Sequence, residues 1–266
     1  MKQNEMKFIK PFKEDIAIET IENLLNGEKD KELEEELSIL KTINIGEQVV
    51  YFELSNTYLN INVFHNITLD GNTFDYILID NNFICSITCM NIQEDYEMNE
   101  YGEIFISNES IGNPFIASRE KLKYLEDLLT TNKLINDIEF ISLIVNTNKK
   151  AVKKRCTAPE YITKHFINSD DLTCVLSELD SEKRKNVIKD KMISKINEFI
   201  LNNDNPIIKD YEFIKEPSLL QNAKEEFSNK FNQFKKFSIK TNEKLEKYTT
   251  QISKEIFETI EEDDND

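Results

Sequence analysis

The run from Ile61 to Asn91 constrains the fold more than any other part of the chain. "INVFHNITL" alternates, with Ile61, Val63, His65, Ile67 and Leu69 at every second position and therefore on one face of a strand. "GN" follows as a turn signal, "TFDYILI" as a second strand, "DNN" as another turn and "FICSITCM" as a returning third strand. The apolar positions are mostly β-branched or aromatic, which suits a pleated, half-buried surface. Turns this short leave antiparallel hairpins as the simplest connection. Asp75 is then on a strand adjacent to the one carrying Thr88 and Met90, and those two, being two apart, face the same way.

Flanking segments change period. Lys13 to Asn26 places Ile18, Ile21 and Leu25 on one side of a helix ended by Gly27. An acidic run follows, then a helical pattern through Leu33, Leu37 and Leu40, which resumes after Gly46 as "GEQVVYFELSNTYL". Beyond the hairpins come a polar loop, a fourth short strand "EIFIS", a helix started at Asn113-Pro114, and the near-continuous apolar strand "IEFISLIVN", the kind covered on both faces. The basic run "KKAVKKR", Lys149 to Arg155, reads as a solvated loop after that strand. Past Pro159 the pattern is helical, with one stripe through Leu172, Val175, Leu176 and Leu179 and another from Val187 to Ile200. From Phe227 apolar residues step by threes and fours through Phe231, Phe234, Leu245, Tyr248, Ile252 and Ile256, which reads as a long helix with weak coiled-coil character before an acidic tail. The expected fold is α/β, a mixed β-sheet flanked by helices, in three parts: a helical N-terminal extension over 1–32, an α/β domain over 33–205 and a helical C-terminal extension over 206–266.

Composition narrows the function. Fifty acidic residues against 33 basic ones give a net charge of −17, a field that repels a phosphate backbone unless a local basic patch dominates. No apolar run reaches the roughly 18–20 residues of a membrane span, and the N-terminus lacks a signal-like apolar core, so no membrane partner and a cytoplasmic location are expected. The four cysteines, Cys85, Cys89, Cys156 and Cys174, have no zinc-type spacing with one another or with His65 and His165, and read as free thiols.

The ordered set "GEQVVYFEL", "VFHNITLDGNTFDYILID", a returning strand, "GNPFIASREKLKYLEDLL" and "IEFISLIVN" resembles the nuclease-related domain (NERD) family. That family is similar to the core of restriction-type endonucleases, the PD-(D/E)XK fold, and the resemblance spans about Leu33 to Val145 with a weaker helical continuation to about Leu201. It implies site positions at a Gly-Glu pair, here Gly46-Glu47; at an Asp, here Asp75; at a Glu-x-Lys thirteen and fifteen residues later; and at the Gln of an Asn-Pro-x-x-Gln. The last two depart from the pattern: Thr88 and Met90 stand for Glu and Lys, and Ala117 for Gln. The Asn that follows the Lys is present as Asn91, and Phe83 stands where a Gly precedes the second strand.

The chemistry behind that pattern is hydrolysis of a phosphodiester. A divalent cation neutralises charge and acidifies a water, converging carboxylates hold it, and a lysine beside it stabilises the transition state. Thr88 offers only a hydroxyl, and Met90 a thioether with no affinity for magnesium. Glu47 and Asp75 are thus the retained catalytic positions, with Asp75 a weak metal candidate. The matching bland readings are a helix-start acid favoured by the helix dipole for Glu47 and a sheet-end residue bonding an amide for Asp75. Asp80, Glu94, Asp95, Glu103 and Lys121 are nearby residues through which a rearranged site would have to work. The expected function is a degenerate nuclease, a pseudoenzyme serving as a binding or interaction module. It would need no cofactor, or Mg2+/Mn2+ if the site works, and would find a protein partner or a second copy through the C-terminal helix. The alternatives are a metal-dependent DNA endonuclease with a rearranged site, and a scaffold that binds no nucleic acid.

Overall fold

A computed structural model of the chain describes residues 6–26, 30–182 and 187–206. All the described residues fall in one compact unit, which ends at Lys209. The long C-terminal helix expected from the sequence lies outside the described residues.

The described elements are β1 (Lys7–Lys10), α1 (Ile16–Leu25), α2 (Lys31–Ser55), β2 (Asn62–Leu69), β3 (Asn72–Ile79), β4 (Phe83–Met90), β5 (Tyr96–Met98), β6 (Ile104–Ile106), β7 (Glu109–Gly112), α3 (Pro114–Thr131), β8 (Glu139–Asn146), β9 (Lys153–Cys156), α4 (Glu160–Thr163), β10 (Phe166–Asn168), α5 (Leu172–Ser181) and α6 (Asp190–Asn203). The main sheet has six strands in the order β1-β2-β3-β4-β8-β10. β2, β3 and β4 form the antiparallel centre, while β1, β8 and β10 pair in parallel with their neighbours. A second sheet orders β7-β6-β5-β9. This is a mixed α/β architecture with helices on both faces, consistent with a nuclease-like core.

Local chemistry sets the elements. Asp70 and Gly71 both take left-handed φ, 45° and 83°, which is what a two-residue hairpin turn between twisted strands requires. In the next turn the Asp80 carboxylate accepts the Asn82 N–H at 2.7 Å. Asp30 caps α2 by accepting the amides of Glu32 and Leu33. Asn113 caps α3 in the same way, with Pro114 at the first helical position, where a missing N–H costs nothing.

Two apolar layers cover the main sheet. On one side Val50 and Leu54 of α2 and Leu172 and Leu176 of α5 pack on Val63, Tyr76, Leu78, Phe83, Cys85 and Ile87. On the other, Leu125 and Leu129 of α3 and Ile193, Ile196 and Ile200 of α6 pack on Phe64, Ile67, Phe74, Ile77, Ile79 and Ile84. Burial of this apolar surface is the main favourable term for the fold.

Four findings differ from the sequence expectation. α2 runs unbroken through Gly46, so Glu47 is in the body of the helix rather than near its N-terminus. Lys7–Lys10 is a strand beside β2, so the N-terminal segment contributes to the sheet as well as a helix. Part of the basic run is the edge strand β9, paired with β5, rather than a loop. Ile67 and Leu69 do not share a face with Val63: the alternation breaks at Asn66, whose φ is 49°.

Candidate nuclease-related site

The break at Asn66 creates the local geometry. His65 pairs with Tyr76 and Ile67 with Phe74, leaving Asn66 and Asp75 between them outside the regular ladder. His65 and Tyr76 turn toward α2, while Ile67 and Phe74 turn toward α3 and α6. Side chains two apart in a regular strand cannot do this, so a left-handed residue is needed. Long-range bonds pin the break. Lys10 Nζ donates to the Asn66 carbonyl and pairs with Asp204 at 2.6 Å, and the other Asp204 oxygen accepts the Thr68 N–H at 2.9 Å.

Glu47 meets His65 across this break. The Nε2–Oε2 distance is 2.8 Å, and His65 is 1% exposed. His65 Nδ1 accepts the Lys13 N–H at 3.4 Å, which places the ring proton on Nε2, where it donates to Glu47. Tyr76 Oη donates to the Glu47 main-chain oxygen at 2.8 Å, tying the same turn of α2 to β3. The Phe12 and Tyr76 rings lie 4.8 and 5.0 Å from the imidazole.

Asp75 closes the end of the β3–β4 ladder. That ladder runs from Ile79↔Ile84 to Tyr76↔Ile87, and one further step in the same register sets Asp75 opposite Thr88. There the Asp75 carboxylate accepts the Cys89 N–H at 2.7 Å, in the place of a main-chain carbonyl. Desolvation by burial pushes its pKa up to about 6; the Cys89 N–H works against that, the Glu47 carboxylate adds to it, and the Lys121 ammonium draws it back.

Thr88 and Met90 face the same way, as expected, and that side is the one covered by α3. Thr88 Oγ1 lies 3.2 Å from Ser118 Oγ, which in turn bonds Ser142 Oγ, so its hydroxyl is absorbed in a small polar chain beneath the helix. Met90 packs against the buried cluster that includes Ile144 and Phe166, as does Phe115 of α3. Ala117 precedes Ser118 on α3 and carries no hydrogen-bonding group. Phe83 is fully buried in the α2-side layer.

Gly46 and Asn91 have a joint structural role. A Cβ on Gly46 would come within 3.1 Å of Thr147 Oγ1 and 3.3 Å of Asn91 Cβ, so glycine lets α2 lie directly on the ends of β4 and β8. Asn91 Nδ2 donates to the Thr42 carbonyl at 3.0 Å, one turn earlier on the same helix.

Magnesium or manganese fits this arrangement poorly. Hard cations take about six oxygens, several of them from carboxylates or carbonyls. Glu47 has one oxygen on His65 and Asp75 one on Cys89, and Thr88 is turned to Ser118. Among the described residues no three His, Cys, Asp or Glu side chains converge as a metal-binding group. Of the other acids, Asp95 pairs with Lys154, and Glu103 accepts from Ser110 and Asn99 on the small sheet.

The fold is a mixed α/β domain consistent with a nuclease-like core. Residues 43–147 match the family model described as Nuclease-related domain, which supports the resemblance drawn from the sequence. No curated protein and no solved structure matches the chain. Among the described residues no helix is long and apolar enough to cross a membrane.

Asp75, Thr88 and Met90 lie on the hairpin strands where the sequence reading put them, whereas Glu47 lies in the body of α2 instead of near its start. The sequence reading did not single out His65 as the partner of Glu47. The available signal was a lone histidine on an otherwise apolar strand. Ser118 and Ser142 were also missed, because hydroxyls on separate elements give no linear pattern.

Proposed function

We propose that the protein is a nuclease-related domain that has lost its hydrolytic centre and acts as a binding or interaction module. The observation that carries this reading is the state of the Glu-x-Lys positions: Thr88 is hydrogen-bonded into Ser118 and Ser142, and Met90 is packed among aromatic and aliphatic side chains. Neither supplies a charge to a cation or a phosphate. The two retained acids have structural partners, so both have a reason to be present that does not require catalysis. The net charge of −17 works against a polyanionic ligand, and the basic run is partly neutralised by Lys149 with Glu53 and Asp170 and by Lys154 with Asp95. We assign the partner role to the C-terminal extension over 206–266, whose apolar spacing from Phe227 calls for a covering surface, in a second copy or another protein.

One observation favours a second reading, a metal-dependent nuclease with a rearranged site. Lys121 lies close enough to Asp75 to lower its pKa, and α3 is anchored on either side of it by Ser118 to Thr88 and by Tyr124 to Asp70 at 2.7 Å. A helix lysine could there replace the one missing at Met90. The test is supercoiled-plasmid nicking in Mg2+ and Mn2+ by wild type, Lys121→Met and Asp75→Asn. The binding-module reading expects no nicking from wild type. Nicking that both variants abolish would establish the rearranged site.

A further inference from the structure

We propose that the stretch Pro11–Asp15 is a strap closed over the Glu47–His65–Asp75 site, and that the site is reached by lifting this stretch from the His65 ring. The inference goes beyond the proposed function, because it concerns access and holds whichever ligand the site takes. The stretch lies outside the matched family segment. It links two anchored elements: β1, paired with β2 through Lys7, Phe8 and Lys10, and α1, capped by Asp15. Between them the chain has no regular structure.

Two of the contacts that hold it down fall on one ring, that of His65. Phe12 lies 4.8 Å from the imidazole, and the Lys13 N–H donates to Nδ1. Phe12 also touches Tyr51 at 5.7 Å, and Asn44 Nδ2 donates to Glu14 at 3.4 Å. Nδ1 is the unprotonated nitrogen, the one that does not hold Glu47. The strap therefore covers the reactive edge of His65 and leaves the Glu47 bond on the other side. These holding contacts are weak: both hydrogen bonds sit beyond the usual 2.7–3.2 Å range. The flanks are held by a strand ladder and by the Lys10–Asp204 pair. A weakly held run between firm anchors opens by itself, with far less exposure of surface than global unfolding.

The chain has two histidines, so acylation by diethyl pyrocarbonate followed by peptide mass spectrometry reads each separately. The reagent takes the unprotonated imidazole nitrogen, which in His65 is the one under the strap. His165, half-buried and at a different place in the fold, is the internal control. Wild-type His65 is expected to react slowly, at a rate insensitive to low urea, because a local opening exposes little surface. Phe12→Ala, by removing the aromatic contact, is expected to speed His65 roughly tenfold while leaving the His165 rate and the melting midpoint nearly unchanged. The proposal is overturned if wild-type His65 reacts only as fast as the β3 amides exchange and accelerates with urea alongside them. It is equally overturned if Phe12→Ala accelerates both histidines and lowers the melting midpoint in step. Should Phe12→Ala fail to fold, the urea dependence of wild-type His65 decides alone.

Discussion

Asp75 is an acid placed where burial opposes its charge and a single main-chain amide supports it. Its pKa is about 6 in the folded chain against an ordinary 3.8, so the folded state binds the proton more tightly. The contribution of this group to stability is therefore fully present below about pH 4 and is lost as pH rises through about 6. Asp75→Asn keeps an acceptor for the Cys89 N–H and removes the charge. It should raise stability at pH 7 by on the order of 1–2 kcal/mol and flatten the pH dependence between 4 and 7, read by urea denaturation across that range. Asp75→Ala leaves the amide without its acceptor and should cost about 1–3 kcal/mol. A loss of stability in Asp75→Asn at pH 7 would show that the carboxylate charge is itself stabilising. The family resemblance was enough to single out Glu47 and Asp75 as candidates. What they touch was not legible, because His65 and the Lys13 amide come together through the break at Asn66, and a left-handed asparagine looks like any other in a strand pattern.

At the scale of elements, α2 is the part whose sequence reading and structure differ most instructively. A glycine within a helical pattern reads as an interruption, since glycine costs about 1 kcal/mol relative to alanine there. Here the helix continues because the space against Thr147 and Asn91 admits no side chain. Gly46→Ala sets that propensity gain against the clash. Asn91 is held by Thr42, and Thr147 Oγ1, the nearest atom, donates to the Met90 carbonyl at 3.2 Å, so withdrawal of either neighbour costs a hydrogen bond. The clash should win, with a net loss of roughly 1–2 kcal/mol measured by chemical denaturation. A gain would mean that α2 can lift from the strand ends. The β2–β3–β4 hairpins were legible because strand composition and turn chemistry agree along them, even though the alternation itself breaks at Asn66. β1 and β9 were not, because their few residues, KFIK and KKRC, carry no period of their own and are strands only by pairing with β2 and β5.

At the scale of the whole molecule, two features bear on partners: the −17 charge and the apolar stripe read from Phe227 onward. If that stripe is the association surface, light scattering of the full chain should give a mass above one copy's 31.2 kDa, and removal of 217–266 should return it to a monomer. An unchanged mass on removal would place the partner surface elsewhere. The central claim, that the hairpin keeps the nuclease layout without its chemistry, is tested most directly by calorimetric titration of Mn2+. The titration is run on wild type and on the reconstructed pair Thr88→Glu with Met90→Lys. The account predicts no stoichiometric site in wild type and one new site in the double variant, where a second strand carboxylate faces Asp75. A stoichiometric Mn2+ site in wild type that disappears in Asp75→Asn would contradict it.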